Sequence, residues 1–169
     1  LDAIAACGGE LSTCEVTGPL GDRVSARMLV DGEHKSAVIE MAEAAGIGYS
    51  SCTESAALAA TTYGVGELML RAVRAGVKTI YIGLGGSATN DGGCGCAAAL
   101  GVRFLDGTGA EYVPVGGTLD RLCRIDMSHR SPLLNGVEIV TMCDVDNPLC
   151  GPNGASAVFG PQKGADPDM

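Results

Sequence analysis

The chain has 169 residues, of which 26 are glycine, with two Phe, four Tyr, no Trp and a formal net charge of −9. A chain of this length buries about 70% of its extended surface, enough for one compact domain of closely packed aliphatic layers. The charge opposes a broad nucleic-acid or anionic-membrane surface, and the few aromatics oppose a base-stacking platform. Small anions are not excluded, because backbone N–H groups, a metal ion or one well-placed cation can hold them.

In chain order, Leu1-Asp2-Ala3-Ile4-Ala5-Ala6 reads as a helical stretch stopped by Cys7-Gly8-Gly9. Residues Glu10–Thr17 and Arg23–Val30 read as strands around the turn Gly18-Pro19-Leu20-Gly21-Asp22. Lys35–Glu40 completes an antiparallel meander, with His34 as a solvated turn residue. Met41–Ala45 is a short helix ended by Gly46, and Gly48–Ala60 reads as a mobile loop rich in hydroxyls. Gly64–Gly76 carries the strongest helical periodicity, at Val65, Leu68, Met69, Ala72 and Val73. Gly64 with Glu67 predicts a capping box, Glu67 and Arg71 an ion pair, and Gly76 the stop. Lys78–Ile82 is a β-branched strand, Cys94–Leu100 a helix capped by Asn90 or Asp91, and Val102–Leu105 a further strand. Gly107–Gly117 is a connection, Leu119–Ile125 a strand or one helical turn, and Ser128–Leu134 a short helix. Val137–Val145 is the second strong strand. The class this predicts is α/β, a mixed sheet with flanking helices, in which an antiparallel meander is followed by strand–helix units.

The eight cysteines form no C-x-x-C and no zinc-spaced cluster, which predicts reduced thiols in a cytoplasmic protein. No signal peptide opens the chain, and no uncharged apolar run reaches membrane-spanning length. The start at Leu1 and the finish at Met169, without a closing element, read as ends cut from a longer protein.

The chain is organised around Gly83-Leu84-Gly85-Gly86-Ser87-Ala88-Thr89-Asn90-Asp91-Gly92-Gly93, which lies between a strand and a helix and holds five glycines in eleven residues. Glycine lets a backbone reach φ > 0 and approach a ligand closely. Its N–H groups, with the next helix start, suit an anion such as phosphate. Thr61-Thr62-Tyr63-Gly64, at another helix start, is a secondary candidate for ligand contact. Asp144 and Asp146 are two apart, so an extended segment turns both carboxylates to one side, at a strand's carboxyl end where α/β sheets place ligands. They can bind Mg²⁺; alternatively Asp146 or Asn147 caps the Asn-Pro bend. Lys163, one of three lysines, sits beside the turn at Pro161 and can meet a phosphate or lie solvated. A competing pattern is Gly83-Leu84-Gly85-Gly86-Ser87-Ala88 with Asp106 at the distance of a ribose-binding acid, as in a dinucleotide fold. Against it, Asn90-Asp91-Gly92-Gly93 prolongs the loop where a helix should have begun.

Four blocks carry a family resemblance: residues Gly85–Gly93, Cys143–Leu149, Gly154–Ala165 and Thr61–Leu68, in that family's order. They resemble the signature blocks of the glycerate kinase type-1 family, whose members are considerably longer. The chain is similar to their central portion, and the family's Asp-Ser-Phe-Lys and Asp-Gly-Gly-Glu-Gly segments have no counterpart in it. The resemblance implies ATP-dependent phosphorylation of D-glycerate to a phosphoglycerate with Mg²⁺, 2-phosphoglycerate being the favoured product, by a cytoplasmic enzyme for which a homodimer is compatible. It implies that Gly85, Gly86, Ser87, Ala88, Thr89, Asn90, Gly92 and Gly93 hold carboxylate or phosphate. Asp91 then touches a substrate hydroxyl or the helix start, Asp144 and Asp146 ligate Mg²⁺ or orient the attacking hydroxyl, and Lys163 neutralises phosphate charge. Two other readings stand beside this one: a dinucleotide-binding oxidoreductase domain, and a non-catalytic domain that binds a small anion or docks onto another part.

Overall fold

The structure is a computed structural model and describes residues 1–5 and 8–166. Helix α1 (Asp2–Ala5) is followed by β1 (Glu10–Thr17), β2 (Arg23–Asp31) and β3 (Ser36–Glu40), then α2 (Met41–Ala45). After a 3₁₀ turn at Ile47–Tyr49 come α3 (Glu54–Ala59), α4 (Tyr63–Arg74), β4 (Thr79–Gly83) and α5 (Cys94–Ala99). The second half holds β5 (Arg103–Asp106), β6 (Glu111–Tyr112), β7 (Leu122–Asp126), β8 (Glu138–Met142) and α6 (Ala155–Phe159), with 3₁₀ turns at Gly116–Arg121, Pro132–Leu134 and Pro161–Lys163. The expected first helix is present over Asp2–Ala5; its expected last residue, Ala6, and Cys7 of the expected stop Cys7-Gly8-Gly9 lie outside the described residues.

The main sheet runs β1-β2-β3-β4-β8. Its first three strands are the expected antiparallel meander, paired from Glu10↔Val30 to Thr17↔Arg23 and from Leu29↔Val38 to Asp31↔Ser36. β4 then joins β3 in parallel, and β8 joins β4 in parallel. The mixed α/β class holds, with one addition. β6-β5-β7 form a separate three-stranded antiparallel sheet, so β5 is not a partner of β4.

Period-2 alternation on β2 sends Ala26 and Met28 to one face of the sheet, where β1 adds Val16, β3 adds Ala37 and Ile39, and β4 adds Ile80 and Ile82. The stripe Val65, Leu68, Met69, Ala72 and Val73 of α4 packs into the same core, all 9% exposed or less. Burying Leu68 alone stabilises the fold by roughly 2–3 kcal/mol before entropy is counted. The helix stops as expected, with Ala75 as C-cap and Gly76 at φ +92°.

Several local expectations need correction. Gly48–Ala60 is not a plain loop: Thr53 Oγ1 accepts the Ala56 N–H at 3.4 Å and starts α3. The capping box at Gly64 and Glu67 does not form, because Glu67 accepts the Thr17 N–H at 2.5 Å and pairs with Arg23 at 3.4 Å. Arg71 donates to the Glu15 carbonyl, so the expected Glu67–Arg71 pair gives way to contacts with β1 and β2. The N-cap of α5 is Gly93 at φ +79°, not Asn90 or Asp91. Only Pro132–Leu134 of the expected helix at 128–134 winds, as a 3₁₀ turn. The last strand stops at Met142, which leaves Asp144 and Asp146 on an irregular segment beyond it. His34 is exposed as expected, but it is not free: Nδ1 lies 2.6 Å from Asp31 Oδ2.

Candidate functional site

In parallel pairing, carboxyl ends lie side by side. Gly83 of β4 stands opposite Met142 of β8, so the segments that follow leave the sheet together. Leu84, Gly85, Gly86 and Ser87 from the first, and Cys143, Asp144 and Val145 from the second, line one cavity of about 270 Å³. Phe159, Gln162 and Lys163 close it from α6 and the turn after it. The crevice beyond the carboxyl ends of parallel strands is where open α/β sheets bind ligands.

The glycine-rich loop divides into two parts. Among the described residues, the N–H groups of Gly85, Gly86 and Ser87 have no acceptor in the protein, and Gly86 reaches φ +71°. From Ala88 onward several N–H groups are used internally: Ala88 donates to the Ala45 carbonyl at 2.9 Å, Thr89 to Ser87 Oγ at 3.1 Å, and Gly93 to Asp91 Oδ1 at 3.0 Å. The cavity is thus walled by Gly85, Gly86 and Ser87. Ala88, Thr89, Asn90, Gly92 and Gly93 lie outside its wall, with Ala88 and Thr89 buried. The loop is also stitched to the 3₁₀ turn at Ile47–Tyr49, where the Ile47 N–H donates to the Gly86 carbonyl at 2.8 Å.

Asp91 is 1% exposed. Its Oδ2 accepts from the Thr62 N–H and hydroxyl, each at 2.8 Å, and from the Gly95 N–H at 3.1 Å. Of its two expected contacts, substrate hydroxyl or helix start, the described contacts are those of the helix start. A buried carboxylate demands such donors, and the N-terminal peptides of α4 and α5 supply them.

Lys163 is held in the cavity wall. Its Nζ donates to the Thr89 carbonyl at 2.5 Å and to Asn90 Oδ1 at 3.3 Å. Burial holds its pKa below the usual lysine value, and the negative charge of Asp91 opposes that shift. Lys163 is the cation among the residues that line this cavity, and Asp144 is the carboxylate.

Asp144 and Asp146 are both exposed, but only Asp144 belongs to the wall. The side chain of Asn147 donates to the Asn153 carbonyl at 3.0 Å and ties the segment to the approach of α6. Among the described residues no three His, Cys, Asp or Glu side chains gather as a metal cage. A single wall carboxylate does not fit a cation held by protein alone. It does fit Mg²⁺, which keeps most of its waters and commonly binds through one or two carboxylates plus substrate phosphates.

Asp106, the residue a dinucleotide fold would need on the ribose, closes a turn in the second sheet. Its Oδ1 accepts from the Thr108 N–H at 2.8 Å, the Thr108 hydroxyl at 2.7 Å and the Ala110 N–H at 3.1 Å. A larger, open groove of about 640 Å³ lies between the β1–β2 ribbon and residues 46–49. Its Arg27 is neutralised by Glu43 at 2.7 Å and Asp2 at 3.0 Å, so it offers an anion no free charge. Phe159 and Gln162 were not singled out by sequence. Their signal was position alone, one turn before and one residue before Lys163.

A glycine turn, a carboxylate and a lysine around one cavity at the carboxyl ends of parallel strands form the layout of a small-anion site on an α/β fold. The chain belongs to the glycerate kinase family, whose model matches residues 1–169. It is 49% identical to glycerate kinase of Bacillus subtilis (strain 168), over 98% of this chain and 44% of that protein. It is 47% identical to glycerate 2-kinase of Escherichia coli (strain K12), again over 98% and 44%. A crystal structure from Salmonella typhimurium LT2, assigned as a glycerate kinase 2, superposes with a TM-score of 0.92 at 47% identity, covering 98% of this chain and 44% of that one. The chain therefore spans less than half the length of these relatives. No helix among the described residues is long and apolar enough to cross a membrane.

Proposed function

We propose that the chain carries the phosphate-handling part of an ATP-dependent kinase that phosphorylates D-glycerate, with the 2-hydroxyl as the acceptor. The observation that carries this reading is the meeting of Gly85, Gly86, Asp144 and Lys163 around one cavity. The names of the relatives from Bacillus subtilis and Escherichia coli support the substrate, and the second supports the position. Because the chain spans 44% of those relatives, we assign turnover to the longer protein and ligand contact to this portion, the central domain of such a kinase.

Phosphoryl transfer asks a protein mainly for positioning and charge neutralisation. The N–H groups of Gly85, Gly86 and Ser87 receive phosphate or carboxylate oxygens. Lys163, which lines the same cavity, balances negative charge. Asp144 is the residue that would hold Mg²⁺, which when bound neutralises phosphate charge; Asp146 stands two residues further on to hold one of its waters. Asp91 keeps the loop in shape without touching substrate. The unpaired thiols described for the chain support a cytoplasmic setting, and self-association as a homodimer is compatible with the reading.

The test is a coupled assay on the full-length protein with D-glycerate and Mg-ATP, with the product resolved by ³¹P NMR. The expected result is 2-phosphoglycerate, with Asp144→Asn lowering turnover at least 100-fold, about the effect of removing one transition-state contact. Unchanged turnover in Asp144→Asn removes that carboxylate from the mechanism. Formation of 3-phosphoglycerate overturns the assignment of the acceptor.

A further inference from the structure

We propose that Thr62 is a positioning residue for this site: its side chain, acting through Asp91, fixes the stretch Thr89-Asn90-Asp91 against which Lys163 is set. The inference rests on the reading of the cavity as the phosphate site and adds a residue that lies outside its wall.

Thr62 is 4% exposed, and its N–H and hydroxyl together make three hydrogen bonds. Its N–H and its hydroxyl both donate to Asp91 Oδ2 at 2.8 Å, and the hydroxyl oxygen accepts the Cys96 N–H at 2.8 Å. A hydroxyl has one proton to give and lone pairs to receive, so both directions are used together. One threonine thus ties the start of α4 to the start of α5 and to the exit of the glycine-rich loop. The fit leaves no slack. A Cβ at Gly95 would stand 2.1 Å from Thr61 Oγ1, 2.7 Å from the Tyr63 nitrogen and 2.9 Å from Asp91 Oδ2.

Lys163 grips the same stretch from the other side, at Thr89 and Asn90. Residues 89 to 91 are therefore bracketed, with Lys163 on the first two and Thr62 on the third. Two consequences follow for the lysine. The backbone oxygen that orients Nζ is placed by a segment whose next anchor is Thr62. The Asp91 charge that opposes the burial shift of Lys163 is likewise located by Thr62. Replacing threonine with isosteric valine removes both hydroxyl bonds and keeps the N–H bond. Serine keeps all three.

The experiment compares Thr62→Val, Thr62→Ser and Lys163→Met in the full-length protein. Mg-ATP affinity is measured by calorimetry, and kcat and KM for D-glycerate by steady-state assay at 25 °C. Thr62→Val is expected to lower kcat about 30-fold with KM for glycerate within about twofold, because sub-ångström misplacement acts on the transition state. Thr62→Ser is expected to restore kcat to within about threefold. A Thr62→Val protein with a lowered Tm but unchanged kcat overturns the proposal and leaves Thr62 a packing residue. If Thr62→Val does not fold, amide exchange in the wild type decides. Mg-ATP should slow the Gly93, Gly95 and Cys96 amides at least threefold, and no change there overturns the proposal. The two readings fail separately. Unaltered Mg-ATP affinity and turnover in Lys163→Met defeat the phosphate site itself. A damaged Lys163→Met beside an unaffected Thr62→Val defeats only the positioning role.

Discussion

Lys163 and Thr89, 74 positions apart in the chain, are joined by one short hydrogen bond, from Nζ to the Thr89 carbonyl at 2.5 Å. The bond fastens the turn after α6 to the loop after β4. A charge-assisted bond of this kind is stronger than a neutral one, and it anchors a lysine that lines the same cavity as Gly85 and Gly86.

Replacing Lys163 should therefore harm chemistry more than folding. Lys163→Met is expected to lower kcat/KM for Mg-ATP about 100-fold, with a Tm change of only a few degrees, read from a coupled assay and a thermal melt. Burial depresses the pKa of Lys163, so the ammonium is lost at lower pH than in an ordinary lysine. The alkaline decline of activity should accordingly have its midpoint below pH 10.5.

Asp91 should behave in the opposite way, as a residue the fold depends on. Asp91→Ala leaves the Thr62 N–H and hydroxyl and the N–H groups of Gly93 and Gly95 without their acceptor. Each buried donor left unmade costs about 1–3 kcal/mol, so a loss of at least about 3 kcal/mol is expected. Urea denaturation measures it, and a loss below about 1 kcal/mol contradicts the arrangement.

The cysteines should divide by environment. Burial, with the nearby Asp91 charge, pushes the Cys96 thiol up to about 12, and thiolate is the reactive form. Cys52, Cys123, Cys143 and Cys150 are exposed. Iodoacetamide at pH 8 should label the exposed set within minutes and leave Cys96 unmodified until denaturant is added. Cys143 lines the cavity, so Mg-ATP should slow its labelling. Mass spectrometry of tryptic peptides reads both effects.

His34 gives a local test of linkage. Its bond to Asp31 raises the imidazole pKa above the ordinary 6.5. The folded protein holds this proton more tightly than the unfolded chain. The contribution is therefore complete below pH 6.5 and is lost as pH rises through the folded-state value. An NMR titration of His34 should show a midpoint above 6.5, returning toward 6.5 in Asp31→Asn.

The parts of the fold legible in the sequence are those with a clean period. Val65 through Val73 announced α4, and the turn at Gly18–Asp22 announced the ribbon of β1 and β2. Helix α3 was not legible because its Ala and Ser residues carry no stripe, although Thr53 before Glu54 was a cap signal. The second sheet escaped because β6 is two residues long and β7 is largely exposed, so neither alternates cleanly. Within the site, Gly85, Gly86 and Lys163 were legible as residue types that suit an anion, and Asp144 as one that suits a divalent cation. The meeting of the glycine-rich turn with the acidic segment after Cys143 was an expectation too, and the parallel register of β4 and β8 is what brings the two together. Glu67 shows a limit: local spacing favoured a cap, while Thr17 and Arg23, distant in sequence, took the carboxylate.

β8 has one neighbour among the described strands, β4. Its far edge offers a row of peptide groups to any other strand, and Ile139 and Met142, each 45% exposed, add apolar surface on the two faces beside that edge. Residues 1–169 handled by themselves should thus clump as their concentration rises, through backbone zippering along β8. A lysine at Ile139 should keep them dispersed in light scattering.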